Sequence, residues 1–137
     1  MDFYDLYPLK VNGKYGWVDK NNNFVIQPLY DSPCARYYNG IVILQKNGYE
    51  GGIFLDGGRI AFQFVYRQLG WMYNETFQSI NSDGTATIVK PGDRQLSSHK
   101  YSRFYFNDNQ RYIRFMRYGF GGMVIEGVLD LETGEEQ

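Results

Sequence analysis

An all-β fold is predicted by three features of this sequence: a surplus of aromatic side chains, asparagine-glycine pairs at turn positions, and a segment that recurs after 35 to 36 residues. Tyrosine (13) and phenylalanine (10) supply most of an aromatic content of 18%, while alanine is rare and leucine sparse. Aromatic and β-branched side chains pack well on a pleated surface, whereas helices favour Ala, Leu, Glu and Lys. Several of the 16 glycines follow asparagine or aspartate, and both central positions of a type I′ hairpin turn need the positive φ these residues tolerate.

The repeat sets out the elements in order. "NGKYGWV" (12–18) lies over "NGYEGGI" (47–53) at a shift of 35, Asn12-Gly13 on Asn47-Gly48 and Gly16 on Gly51. "FVIQPLYD" (24–31) lies over "IAFQFVYR" (60–67) at a shift of 36, Gln27 on Gln63 and Tyr30 on Tyr66, so one residue is inserted in the turn between. Each copy reads as a strand, an Asn-Gly turn, a second strand, a polar turn ("KNNN" or "LDGG") and a third strand. A worn third copy, "DGTATIVKPG" (83–92), follows "NGIVILQKNG" (39–48). A fourth begins at "YIRFMRYGFGGMVIEG" (112–127), with Gly119 and Gly121-Gly122 set against Gly48 and Gly51-Gly52. The expected architecture is about four degenerate units of antiparallel hairpins, roughly 4–37, 38–73, 82–108 and 112–137, forming a small β-repeat array or partly closed barrel. A length of 137 residues suits one domain, 1–137, with one core. The only helical expectation is one short turn in "GDRQLSSHKYSR" (92–103).

The first copy, "NGKYGWVDKNNNFVIQPLYD" (12–31), resembles the repeat of the WG-repeat family: Asn-Gly-Lys-Tyr-Gly, an aromatic, Ile or Val, Asp, a polar turn, and an apolar strand ending near Pro and Tyr-Asp. The second copy has Gly52 where the first has Trp17 and keeps Gln63 without the proline; the fourth retains "GFGGMV" and "DLETGEE". The resemblance implies an all-β hairpin array in a bacterial protein that binds other proteins, and it transfers no catalytic residue. Trp17 is expected in the core, because a glycine before it lets a neighbouring strand approach and the ring then covers that strand.

Composition excludes several chemistries. A net charge of −1 argues against a surface that is basic throughout, as a general nucleic-acid binder would be. "MDFYDLYPLK" lacks a basic then apolar leader, and no apolar run approaches the ~18 residues that span a bilayer, so a cytoplasmic location without membrane contact is expected. One histidine, His99, and one cysteine, Cys34, are too few for a zinc site of the usual kind, and no metal or other cofactor is expected. Cys34 reads as a small buried filler and a Cys34–His99 nucleophile pair as remote. "GFGG" (119–122) lacks the strand-to-helix context of a phosphate loop and reads as a hairpin turn. Asp19, Glu50 and Asp56 are the carboxylates available for acid-base work, but Asp19 and Asp56 border turns, where aspartate is favoured for its bonds to local backbone. No catalytic residue is assigned, and the chain is read as a non-enzyme.

Two stretches carry the candidate binding residues. Residues 94–117 hold Arg94, Lys100, Arg103, Arg111, Arg114 and Arg117 against one acid, Asp108, with Tyr101, Tyr105, Tyr112 and Phe115 interleaved. Guanidinium groups and rings in this mixture suit an acidic protein surface, or a nucleotide, another anionic small ligand or single-stranded nucleic acid; a solvated strand face with Arg stems lying over rings is the plain alternative. Trp71, Met72 and Tyr73 are consecutive, so in a strand they cannot all face one core, and at least one is expected at an interface. The expected function is a cytoplasmic protein-binding module of the inhibitor, immunity-protein or adaptor kind, acting by occlusion through Arg103, Tyr105, Arg111, Tyr112, Arg114, Arg117, Trp71, Met72 and Tyr73. Edge strands of an open array could also pair two copies.

Overall fold

The structure, a computed structural model, describes residues 2–105 and 108–137; residues 106 and 107 of the basic stretch lie outside the described residues. Among these the chain forms strands β1 (Tyr7–Val11), β2 (Lys14–Val18), β3 (Phe24–Tyr30), β4 (Arg36–Tyr38), β5 (Ile41–Lys46), β6 (Tyr49–Phe54) and β7 (Ile60–Tyr66). It continues through β8 (Leu69–Tyr73), β9 (Thr76–Ile80), β10 (Ala86–Lys90), β11 (Arg94–Gln95), β12 (Arg103–Phe104), β13 (Tyr112–Tyr118) and β14 (Val124–Asp130). The helical content is two 3-10 turns, Phe3–Asp5 and Phe120–Gly122, and the stretch 92–103 contains short β11 rather than a helical turn.

The strands form four antiparallel sheets that succeed one another along the chain, ordered β1-β2-β3, β4-β5-β6-β7, β11-β10-β9-β8 and β12-β13-β14. Each is open, which decides for the array over the partly closed barrel. Contacts gather the chain into two compact units, Met1–Tyr66 and Arg67–Gln137. The sheets also cut the chain differently from the sequence repeat. Strand β4, which straddles the boundary between 4–37 and 38–73, pairs with β5, and β8, inside 38–73, pairs with β9, because a repeat boundary and a sheet boundary need not share a residue.

In the first unit, type I′ geometry closes the hairpins at Asn12-Gly13 (φ 51° and 83°), Asn39-Gly40 (50° and 86°) and Asn47-Gly48 (54° and 85°). The repeat is reproduced pair by pair. Tyr15↔Tyr30, Trp17↔Ile26 and Val18↔Phe24 recur as Glu50↔Tyr66, Gly52↔Phe62 and Ile53↔Ile60, with register breaks at the same two places. The glycine before the aromatic makes this possible: a Cβ on Gly16 would lie 2.5 Å from the Ile26 carbonyl oxygen and 2.7 Å from the Pro28 nitrogen. At Gly51 it would lie 2.7 Å from the Phe64 ring and 2.8 Å from the Phe62 carbonyl oxygen. The third strand of each copy therefore bulges onto a bare backbone.

Trp17 is buried, as expected, in a core with Phe3, Leu6, Ile26, Tyr30 and Val42 among its members. Ring contacts run Tyr37 to Phe3 (5.7 Å, stacked), Phe3 to Trp17 (6.3 Å), Trp17 to Tyr30 (6.3 Å) and Tyr30 to Phe64 (5.6 Å), joining the first two sheets. The second copy moves the bulk across the ladder. Large Trp17 faces Ile26, whereas Gly52 faces Phe62, and a Cβ on Gly52 would already lie 3.1 Å from both Ile41 and Ile43. Asp31 fastens the two sheets: it accepts from the Lys14 ammonium (2.9 Å) and the Gly48 amide (2.8 Å), and its own amide donates to the Gln45 carbonyl (2.9 Å).

In the second unit Met72, Ile88, Tyr101, Ile113, Phe115, Leu129 and Leu131 form a core. The fourth copy sits in a different register from the one its glycines suggested. Gly121 (φ 69°) and Gly122 (φ 77°) lie in the turn between β13 and β14, not within a strand like Gly51-Gly52. The glycine that answers Gly16 is Gly127, whose Cβ would lie 2.5 Å from the Gln137 carbonyl oxygen. Gln137 exchanges both backbone hydrogen bonds with Val128, so the chain's last residues act as the third strand. "EGVLD" (126–130) thus stands where "YGWVD" (15–19) does, and Asp130 caps its turn by accepting from the Glu132 amide as Asp19 does from Asn21 and Asn23.

Replacing Gly16 by alanine forces a methyl onto backbone that has no rotamer to yield. We expect Gly16→Ala to lose about 3 kcal/mol or more in chemical denaturation. Gly13→Ala, where the surroundings are open and only the positive φ resists, is expected to lose about 1–2 kcal/mol. Equal losses from both would show that the close approach at Gly16 is unimportant.

Candidate binding site on the fourth sheet

Strand β13 alternates. Ile113 and Phe115 are buried, while Tyr112, Arg114 and Tyr118 are exposed. On β12, Arg103 pairs with Met116, and Tyr105 continues alongside by donating its amide to the Arg114 carbonyl (3.0 Å). Four predicted residues, Arg103, Tyr105, Tyr112 and Arg114, are thereby brought to one solvent-facing side of the sheet. The guanidinium groups of Arg103 and Arg114 sit over the Tyr105 ring at 5.5 and 5.0 Å from its centroid, and neither makes an ion pair among the described residues.

The other two arginines are spoken for. Arg111 forms a two-point ion pair with Asp130 (2.9 and 2.8 Å) and lies over the Tyr112 ring (5.2 Å). Arg117 turns inward to a two-point pair with Glu136 (2.8 and 2.8 Å), and only 11% of its side chain is exposed. Glu136 also accepts from the buried Tyr101 hydroxyl (2.9 Å), which bonds Ser97 (2.7 Å), and the His99 Nε2 lies 3.9 Å from it. The basic stretch is less basic than its own residues indicate, because two neutralising acids arrive from β14 and the chain's last residues. Arg117 is thereby placed largely inside the unit, away from the solvent-facing side that holds Arg103 and Arg114.

Trp71, Met72 and Tyr73 separate as their alternation requires. Met72 is buried and leaves the candidate surface, and Tyr73 packs partly against the same core. Trp71 is half-buried, with its indole N–H donating to the Asn74 carbonyl (2.7 Å). It lines a cleft of about 220 Å³ with Gln78, Phe104, Tyr105 and Asn109, and the Asn109 amide donates to the Met72 carbonyl (3.1 Å).

The sequence reading placed a turn at 119–122 and missed what that turn displays. Phe120 is 99% exposed, Met123 62%, Tyr118 58% and Val124 53%, so four large apolar side chains project from one hairpin tip. The signal was present: "YGFGGMV" (118–124) contains no charged residue where a surface turn is normally polar.

The remaining candidates fall to ordinary roles. Cys34 is exposed rather than buried, since it follows the exposed Pro33 in the bend between β3 and β4. Asp19 accepts turn amides, Glu50 pairs with Arg36 at two points (3.2 and 2.9 Å), and Asp56 is exposed in the turn before β7. Among the described residues no group of three or more His, Cys, Asp or Glu is placed to hold a metal ion, and no helix is long and apolar enough to cross a membrane.

A family model described as the WG containing repeat matches residues 15–49. The chain carries a WG repeat over these residues. The matched WG repeat runs from β2 through Asn47-Gly48, one full period, and so begins in the first sheet and ends in the second. No curated protein matches the chain.

The carboxylates of this WG-repeat chain give it a pH signature. Arg111 beside Asp130, Arg117 beside Glu136, and the Gly48 amide followed by Lys14 at Asp31 each hold a carboxyl below its ordinary range. A depressed folded-state pKa contributes stability that is present above the unfolded value and lost as pH falls through the folded one. Melting temperature is therefore expected to fall as the pH drops below ~4, and Asp130→Asn to flatten that dependence. Burial pushes the Tyr101 hydroxyl up to about 12. Stability tied to it is present below the ordinary value of ~10 and declines between there and 12. Phenolate absorbance should show a late-titrating tyrosine that Tyr101→Phe removes; an unchanged titration in that variant would contradict the burial argument.

Proposed function

We propose that this chain is a non-catalytic protein-binding module that docks an acidic partner through the outer side of the fourth sheet and the β13–β14 hairpin tip. The supporting observation is the tip itself: Tyr118, Phe120, Met123 and Val124 exposed together, with Arg103 and Arg114 behind them on the same sheet. Exposed aromatic and Met side chains on a rigid hairpin lose little conformational freedom on binding and serve as anchors, while flanking guanidinium groups select carboxylates. The tight Gly119–Met123 turn is closed by the Gly119 amide donating to the Met123 carbonyl (2.6 Å). Such a module works by occlusion, as an inhibitor, an immunity protein or an adaptor does.

Capture from cell lysate with three forms tests this reading: the native chain, Phe120→Ser with Met123→Ser, and Arg103→Glu with Arg114→Glu. All four positions are exposed, so native melting temperatures are expected throughout. A protein retained by the native chain and lost by both variants supports the proposal. Equal capture by all three forms refutes it.

A further inference from the structure

The docking surface proposed above calls for an acidic partner, and the first unit of the chain itself presents an acidic surface of matching character. The register Tyr7↔Val18 sets the start of β1 beside the end of β2. The 3-10 turn Phe3–Asp5 and the turn after β2 thereby flank one cleft of about 530 Å³, within the ~300–1,000 Å³ of sites that take bulky groups. Tyr4 (73% exposed) and Tyr7 (63%) line it beside buried Leu6. The Tyr4 ring is held edge-on by Phe3 and Tyr37, at 6.0 and 5.9 Å between centroids. Three carboxylates, Asp2, Asp5 and Asp19, stand around the cleft against one lysine, Lys20. Asp2 accepts from the Tyr4 amide at Oδ1 and Asp19 from the Asn21 and Asn23 amides at Oδ1, so each keeps its Oδ2 for another donor. Asp5 makes no ion pair among the described residues.

We infer that the acidic partner is a second copy of this chain: the β13–β14 tip of one copy enters the Tyr4–Tyr7 cleft of another, and Arg103 and Arg114 meet Asp2 and Asp5 at its rim. This rests on the docking role given to the tip and names its partner. The two surfaces are complementary in shape of side chain and in charge. Phe120 and Met123 offer exposed apolar side chains where the cleft offers tyrosine rings, and a ring edge or a thioether packs well on an aromatic face. Two guanidinium groups without carboxylates of their own meet carboxylates without cations of their own. Met116, opposite Arg103, lies two residues and Arg114 four residues before Tyr118, about 7 and 14 Å along the strand, so the charge follows directly behind the tip. A net charge of −1 gives the copies no strong mutual repulsion to overcome. Because each patch meets a different patch, the contact is head-to-tail; engaged reciprocally it closes a dimer, and engaged one way it builds rings or open chains.

Sedimentation velocity of the full chain over a concentration series tests the inference. The mass is expected to rise with concentration at low salt, and the association constant to fall at least tenfold between ~0.01 M and ~1 M salt, as the screening length shrinks from about 30 to about 3 Å. Arg103→Glu with Arg114→Glu, and separately Asp2→Lys with Asp5→Lys, should each weaken self-association at least tenfold. An equimolar mixture of the two should associate again, since each reversed surface then finds an opposite charge on the other variant. Asp2 caps the first turn, so Asp5→Lys alone serves as the second groove variant, and it should show a smaller loss in the same direction. Phe120→Ser with Met123→Ser should weaken association, and mixing it with the groove variant should not restore the native level. A native chain that stays monomeric throughout the low-salt series, or charge-reversed variants that associate as the native chain does, or a mixture no stronger than its parts, would overturn the inference. A monomeric native chain whose lysate capture still depends on the tip and the two arginines overturns self-pairing alone, whereas equal capture by all forms removes the docking reading and this inference together.

Discussion

The first unit depends on one steric constraint, the absence of a Cβ at Gly16. The neighbouring strand crosses so close that its carbonyl and amide groups occupy the space a side chain would take. This approach creates the bulge in β3, and the bulge brings Ile26 and Tyr30 against Trp17, although four residues separate them on β3 and only two separate their partners on β2. The aromatic chain from Tyr37 to Phe64 follows from that placement. Gly51 and Gly127 repeat the device, each against a third strand whose backbone or rings press onto it. A glycine onto which the neighbouring strand presses is thus the mechanical centre of the repeat, and the asparagine-glycine turns only deliver the strands to it.

The same device has been filled in different ways. The first copy puts its bulk on the second strand as Trp17, the second puts it on the third strand as Phe62, and the fourth closes with the last residues of the chain. Burial constrains the sum of volumes across a ladder rather than the residue at one position, so a swap between facing strands is tolerated. This is why the family resemblance is strong in the first copy and faint elsewhere, while the register of the first two copies is the same.

Charge in the second unit divides by the same logic of neighbours. Arg111 and Arg117 meet Asp130 and Glu136 because β14 and the residues after it lie beside β13, nineteen positions away in each case. Arg103 and Arg114 have an aromatic ring for company instead. An ion pair at two points spends the binding capacity of a guanidinium group, whereas a contact with a ring face leaves its N–H donors available. The surface that remains is small, cationic and aromatic, bordered by an uncharged tip.

The sequence by itself determined the strand content, the turns at Asn12-Gly13, Asn39-Gly40 and Asn47-Gly48, the period and the burial of Trp17, since each rests on local conformational preference or on a pattern that recurs along the chain. It also held Arg103, Tyr105, Tyr112 and Arg114 within one short stretch, where strand alternation could bring them to one side. Only the tertiary structure decided that Arg117 faces inward, that Met72 belongs to the core, that Cys34 is exposed, that Gly127 rather than Gly121 is the fourth structural glycine, and that Phe120 stands in solvent. Those outcomes depend on which distant strand lies alongside, and a side chain's burial or charge partner is set by that neighbour and not by its own position in the chain.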